Sequence, residues 1–273
     1  MSVPSVLFCP TTYGHTVQTS LLALLGRHIS QHVHAMQLRC NGALLHCDRD
    51  ATTSFHRRFE SCLECMAQSS DFATWTGASL FQVTAYLPAA DVERSKRWLS
   101  TLEADELPEA HFDGVVPFAW CTDLFNARFQ HVPFQAHNKQ HELFMRRHML
   151  SVIRTRLSVR RFLFTHKPEL IFAVESQEVF SRALAESAQD IGINLITLSS
   201  SIDGRRLELE QWHTGQRFAV DLLIQDYKQV RHDMDTWPEE LREQLQSIAQ
   251  FAQLDLPQRA VQTSSTMRAM HGR

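Results

Sequence analysis

No stretch of this 273-residue chain approaches about 18 consecutive apolar residues, the length at which a hydrophobic run reads as a membrane-spanning helix. Its opening, MSVPSVLFCPTTYGHT, places no basic residue ahead of a short apolar run, so it does not read as a secretory signal. The expectation is a cytoplasmic protein with no transmembrane segment. Excess positive charge is also missing: 27 Lys and Arg face 30 Asp and Glu, a net charge of −3. Dedicated nucleic-acid-binding domains are usually strongly basic, so no nucleic-acid partner is expected. The chain carries no P-loop and no zincin H-E-x-x-H, no Ser-His-Asp pattern can be assembled from it, and it shows no internal repeat. What it does have is ordinary globular composition, 44% hydrophobic and 21% charged, and length enough to bury a sizeable core.

Two segments have the periodicity of βαβ units. SVLFCP (5–10) is a short apolar run closed by Pro10, and TTYGHT (11–16) is a loop. Residues 16–31 then have helical spacing, and HVHAMQLRC (32–40) reads as a second strand. Later, ELIFAVES (169–176) reads as a strand and QEVFSRALAESAQDIG (177–192) as a helix stopped by Gly192. INLITLSSS (193–201) is the next strand. Such units imply a parallel sheet. Between them, residues 71–88 are ambiguous, 89–107 form an amphipathic helix, DG at 113–114 marks a turn, and 137–165 form a long helix broken by Pro168. After them, DG and HTG suggest a hairpin. Residues 236–254 form a helix with Thr236 as N-cap, and the polar stretch from 257 reads as a frayed tail.

Four of the six cysteines, Cys40, Cys47, Cys62 and Cys65, fall within 26 residues. Disulfides rarely persist in the cytosol, and a C-x2-C pair can aim two thiolates at one ion. The spacing therefore predicts a four-thiolate metal site, zinc or an iron–sulfur cluster held by the same ligands. A zinc site with four thiolates has no open position, so its role is structural. The other reading is four scattered core cysteines.

Further candidates follow from position. TTYGHT lies where the first strand meets the first helix, and in parallel sheets ligands bind at the carboxyl ends of strands. Tyr13 and Gly14 are thus candidate ligand-binding residues, and His15 is a candidate catalytic base. Glu175, Ser176, Ser199 and Ser200 occupy the equivalent ends of the later strands, with helix capping as the other reading of Ser176. His137, His141 and His148 share a face of the long helix, as do Arg147, Arg154 and Arg161. The histidines read as a polar helix start rather than a metal site, and the arginines as a solvated face rather than a phosphate site.

The order of these pieces, with a Gly-His loop, the C…C…C-x2-C segment, KPELIFAVES…ALAESAQDIGINLITL and then WPEEL, resembles the N-terminal, GT-B-type half of glycosyltransferase-like proteins of surface and capsular polysaccharide biosynthesis. The resemblance implies an α/β fold: a Rossmann-like three-layer domain over 1–256, with a mainly parallel sheet and a small cysteine-rich, metal-binding insertion at 40–65. It implies an acceptor-side domain taking a sugar or lipid-linked acceptor. A donor-binding second domain is missing, so catalysis would need a separate catalytic partner. The alternatives are a non-catalytic binding or assembly module stapled by the metal, and an iron–sulfur redox or sensing protein.

Overall fold

The computed structural model describes residues 3–10, 16–41, 47, 55–175, 178–201, 206–221, 223–224 and 226–254, with backbone only for 55–59. Seven strands, β1 (Ser5–Cys9), β2 (His34–Arg39), β3 (Ser79–Gln82), β4 (Leu170–Val174), β5 (Asn194–Ser200), β6 (Arg206–Gln211) and β7 (Gln216–Asp221), form one sheet in the order β3-β2-β1-β4-β5-β6-β7. The first five are mutually parallel, and β6 and β7 add an antiparallel hairpin to one side. The fold is α/β with a mostly parallel sheet. β4, LIFAV, is buried at every position. A continuous apolar strand of this kind belongs at the middle of a sheet covered on both faces.

Alternation along the strands divides the core in two. Val6 and Phe8 of β1, with Leu170, Phe172 and Val174 of β4, face one apolar layer. It is built from α1 (Val17–Ile29), the end of α2 (Phe55–Thr76) and α7 (Glu239–Phe251). Leu7 and Cys9, with Ile171 and Ala173, face the other. That layer is built from α3 (Ala89–Ser100), α4 (Pro117–Phe129), α5 (Lys139–His166) and α6 (Val179–Ile191).

Local chemistry sets the ends of these helices. Thr16 caps α1 by accepting from Thr19 N, and Asn138 caps α5 by accepting from Gln140 N and His141 N. Gly192 ends α6 at φ +78, a left-handed conformation that costs glycine no Cβ clash. α5 has 28 residues, a span of roughly 42 Å at 1.5 Å per residue.

Three expectations change. The ambiguous stretch 71–88 is the end of α2, then β3, then a 3-10 turn at Val83–Tyr86. α7 starts at Glu239 with Pro238 at the cap position, while Thr236 instead closes a preceding 3-10 turn. The expected cysteine-rich insertion at 40–65 is described only at 40–41, 47 and from 55 on. Its second part is the first half of α2, the crossover helix that returns the chain from β2 to β3. The expected tail from 257 lies outside the described residues.

Candidate functional site

β1 and β4 are parallel neighbours, yet their outgoing helices cover opposite faces: α1 lies in one apolar layer and α6 in the other. The chain therefore parts at the carboxyl ends of these two strands and leaves a crevice, the position where open α/β sheets hold ligands. Cys9 and Pro10 end β1, Glu175 follows β4, and Ser199 and Ser200 end β5. The first turn of α1 forms the facing wall.

That wall is polar and fixed. Thr16 Oγ1 accepts from Thr19 N at 3.1 Å and lies 3.0 Å from Thr19 Oγ1. Gln18 Nε2 donates to Ser200 Oγ at 2.5 Å, joining α1 to the end of β5. Glu175 N donates to Leu198 O at 2.8 Å, which extends the β4–β5 ladder by one step and leaves the Glu175 side chain exposed at the mouth. Ser201 Oγ donates to Arg206 O at 2.9 Å and accepts from Arg206 N at 3.0 Å, tying the end of β5 to the start of β6. Among the described residues, the N–H groups of Val17 and Gln18 have no acceptor. They stand at the positive end of a 13-residue helix dipole.

Cys9, at the end of β1, is buried and faces the layer of α3, α4, α5 and α6. Burial pushes the Cys9 thiol well above its usual range, only partly offset by a backbone hydrogen bond from Leu38. The thiolate is the reactive form. The chemistry this arrangement offers is recognition: backbone donors for an anion, and an amide, a hydroxyl and a carboxylate to orient a polar body.

The sequence-predicted residues fall in different places. Glu175, Ser199 and Ser200 share the crevice. Ser176, Tyr13, Gly14 and His15 lie outside the described residues. Gln18 and Thr16 were not singled out from sequence. The available signal was their place in the first turn of the helix that follows the first strand.

The four-cysteine site is corrected. Cys40, Cys47, Cys62 and Cys65 are all described, and no group of three or more His, Cys, Asp or Glu converges to hold a metal among the described residues. Strand alternation supplies the reason. Gln37 and Arg39 of β2 face α2, bonding Ser69 at 2.8 Å and Ser70 at 2.8 Å. Met36, Leu38 and Cys40 face the opposite layer, where Cys47 also packs. Cys62 and Cys65 ride on α2. C-x2-C here is one turn of a regular helix, not a knuckle.

The long-helix stripes are also accounted for. His137 is exposed. His141 is buried among Phe125, Phe129 and Phe134, and its Nδ1 accepts from Gln135 N at 3.2 Å. His148 Nδ1 donates to Phe144 O at 2.9 Å. Lys139 and Arg146 hold Glu142, and their hydrogen bonds keep its carboxyl below its usual range. Of the arginine stripe, Arg147 and Arg161 are exposed as expected of a solvated face, while Arg154 is buried, as is the neighbouring Arg156. Arg154 and Arg156 are only 8% and 6% exposed. Arg156 bonds Asp113 O at 3.1 Å and Asp190 Oδ2 at 2.8 Å. Arg146 bonds Leu99 O and Leu102 O just beyond α3, and Arg161 pairs with Asp91 at 2.8 Å.

No family model matches the chain, and no curated protein matches it. Among solved structures, a CDPS from Fluoribacter dumoffii is similar, with a TM-score of 0.41 and 10% identity, covering 79% of this chain and 92% of that one. None of these comparisons meets the expectation of a glycosyltransferase-like protein; the similar structure is a CDPS. The two alternatives, a metal-stapled assembly module and an iron–sulfur sensor, fall with the four-cysteine site on which both rested. No helix among the described residues is long and apolar enough to cross a membrane.

Proposed function

We propose that the protein binds a small polar ligand carrying an anionic group in the crevice between β1 and β4. The observation that carries this reading is the Gln18–Ser200 bridge at 2.5 Å, set where α1 and α6 leave neighbouring strands on opposite faces. It fixes the first turn of α1 over the carboxyl ends of β4 and β5, so the Val17 and Gln18 amides present a preorganised anion site. Glu175, exposed beside them, accepts from a hydroxyl or amine on the body of the ligand. The anion is held by dipole and N–H donors rather than by a cation, so binding should weaken less steeply with salt than at an arginine cluster.

The test is a calorimetric titration with inorganic phosphate, AMP and a small hydroxycarboxylate, repeated on Gln18→Leu and Glu175→Gln. A hydrogen bond to a charged group contributes about 1.5–3 kcal/mol, so Glu175→Gln should weaken the best ligand by about tenfold, and Gln18→Leu, which removes the bridge that fixes the amides, should weaken it as well. Saturable binding that neither substitution weakens would place the ligand elsewhere and refute this reading.

A further inference from the structure

A second cleft lies outside the crevice and shares no residue with it. Its volume is about 440 Å³, and its walls are the last turns of α2 and the segment after β7. That segment, 226–237, is a strap of two 3-10 turns, Tyr227–Gln229 and Met234–Thr236. It is anchored through its backbone. Trp237 Nε1 donates to Arg231 O at 2.7 Å, Arg27 Nη2 donates to His232 O at 3.4 Å, and the Asp226 carboxylate accepts from Lys228 N at 2.9 Å. The Arg231 and His232 side chains are both exposed.

The floor of the cleft is aromatic. Trp75 is 5% exposed and Tyr227 1%, with ring centroids 5.2 Å apart in an edge-on arrangement. Burial, then the charges of Asp71 and Asp226, push the Tyr227 hydroxyl up to about 12, so it stays neutral and the floor carries no charge. The Trp75 ring lies against the imidazole of the exposed His232, with centroids 4.0 Å apart but planes tilted by 47°. The buried indole N–H has no acceptor among the described residues. At the rim, Asp71 and Lys228 pair at 3.2 Å, and the Arg231 guanidinium has no partner among the described residues.

We propose that this cleft is a second binding site, for a flat aromatic molecule carrying one anionic group, and that His232 is the ring it displaces. The volume is that of a small-molecule site, typically about 300–1,000 Å³. A flat ligand can stack on Trp75 in a parallel, offset arrangement, where the imidazole is tilted by 47°. The planar fork of Arg231 suits a carboxylate or a phosphate.

Two sources share this chemistry, an aromatic carboxylate and a nucleoside monophosphate, and indole-3-acetate and AMP are the probes that separate them. Each is titrated calorimetrically into the full chain and into Arg231→Gln, His232→Ala and Gln18→Leu. At least one probe should saturate. Arg231→Gln should weaken it by about tenfold, the worth of a charge-assisted hydrogen bond. His232→Ala should tighten it severalfold, because the competing ring is gone. The binding that Arg231→Gln weakens should survive Gln18→Leu, in the other crevice, unchanged. Failure of both probes to bind overturns the proposal, as does weaker binding by His232→Ala or unaltered binding by Arg231→Gln.

Discussion

Gly26 is where α1 comes closest to α2, and substituting it tests the packing that holds the crevice wall in place. A Cβ added there would lie 2.8 Å from Thr76 Cγ2, 3.2 Å from Thr76 Cβ and 3.5 Å from Phe8 Cζ. Thr76 cannot easily yield. It is fully buried, its hydroxyl donates to Phe72 O at 2.9 Å, and a β-branched side chain is stiff at χ1. Gly26→Ala therefore sets an overpacking cost of about 1–3 kcal/mol against a gain in helix propensity of about 1 kcal/mol. The net expectation is a loss of up to about 2 kcal/mol. Thr76→Ser deletes the methyl and keeps the hydroxyl, so the alanine should cost at least about 1 kcal/mol less in that background, a coupling in the range found for touching residues. Urea unfolding of the four proteins in the cycle measures this through their midpoints. Gly26→Ala that is stabilising in the wild-type background would refute the reasoning. So would an alanine cost that Thr76→Ser leaves unchanged.

Four further outcomes are expected. Arg156→Ala should cost about 2–4 kcal/mol in urea unfolding, since it removes a buried guanidinium bonded to Asp113 O and Asp190. Asp190→Asn should cost under about 1 kcal/mol, because Asp190 is 43% exposed and solvent screens its share. Stability should fall on acidification in part through His166. Burial, then the nearby charge of His34, hold its pKa below the ordinary 6.5. The unfolded chain therefore takes up a proton first as pH drops. The His166 contribution is present above pH 6.5 and is lost as pH falls from there through the lower folded value. Comparing the urea midpoint of wild type and His166→Gln between neutral pH and pH 5 reads this, and an equal slope for both would contradict it. Tyr86→Phe, which removes the 2.6 Å hydrogen bond to His166 Nε2, should cost about 1 kcal/mol at neutral pH.

Much of the fold was legible because its signals are local. LIFAV could only be a strand covered on both faces, Gly192 stops α6 through its own backbone freedom, and both βαβ units lie where periodicity predicts them. The cysteine pattern misled because spacing says nothing about sidedness. One residue of register on β2 decides that Cys40 faces away from the helix that carries Cys62 and Cys65. The arginines of α5 misled for a related reason. Charged residues on a helix read as surface, but the partners that make Arg154 and Arg156 buriable, Ser95 and Asp190, lie 59 and 34 residues away in sequence. Gln18 was invisible because a polar side chain in a first helical turn is unremarkable until the sheet brings Ser200 to it across 182 residues.

The central claim is that the ligand site is the crevice where β1 and β4 send their helices to opposite faces. Its most direct test is to titrate the isotopically labelled protein with inorganic phosphate and follow every backbone amide by NMR. The account predicts saturable shifts centred on Val17 and Gln18, reaching Glu175 and Ser199–Ser201, and lost in Gln18→Leu. Shifts that saturate elsewhere while Val17 and Gln18 stay still, or no saturable shift at all, would contradict it.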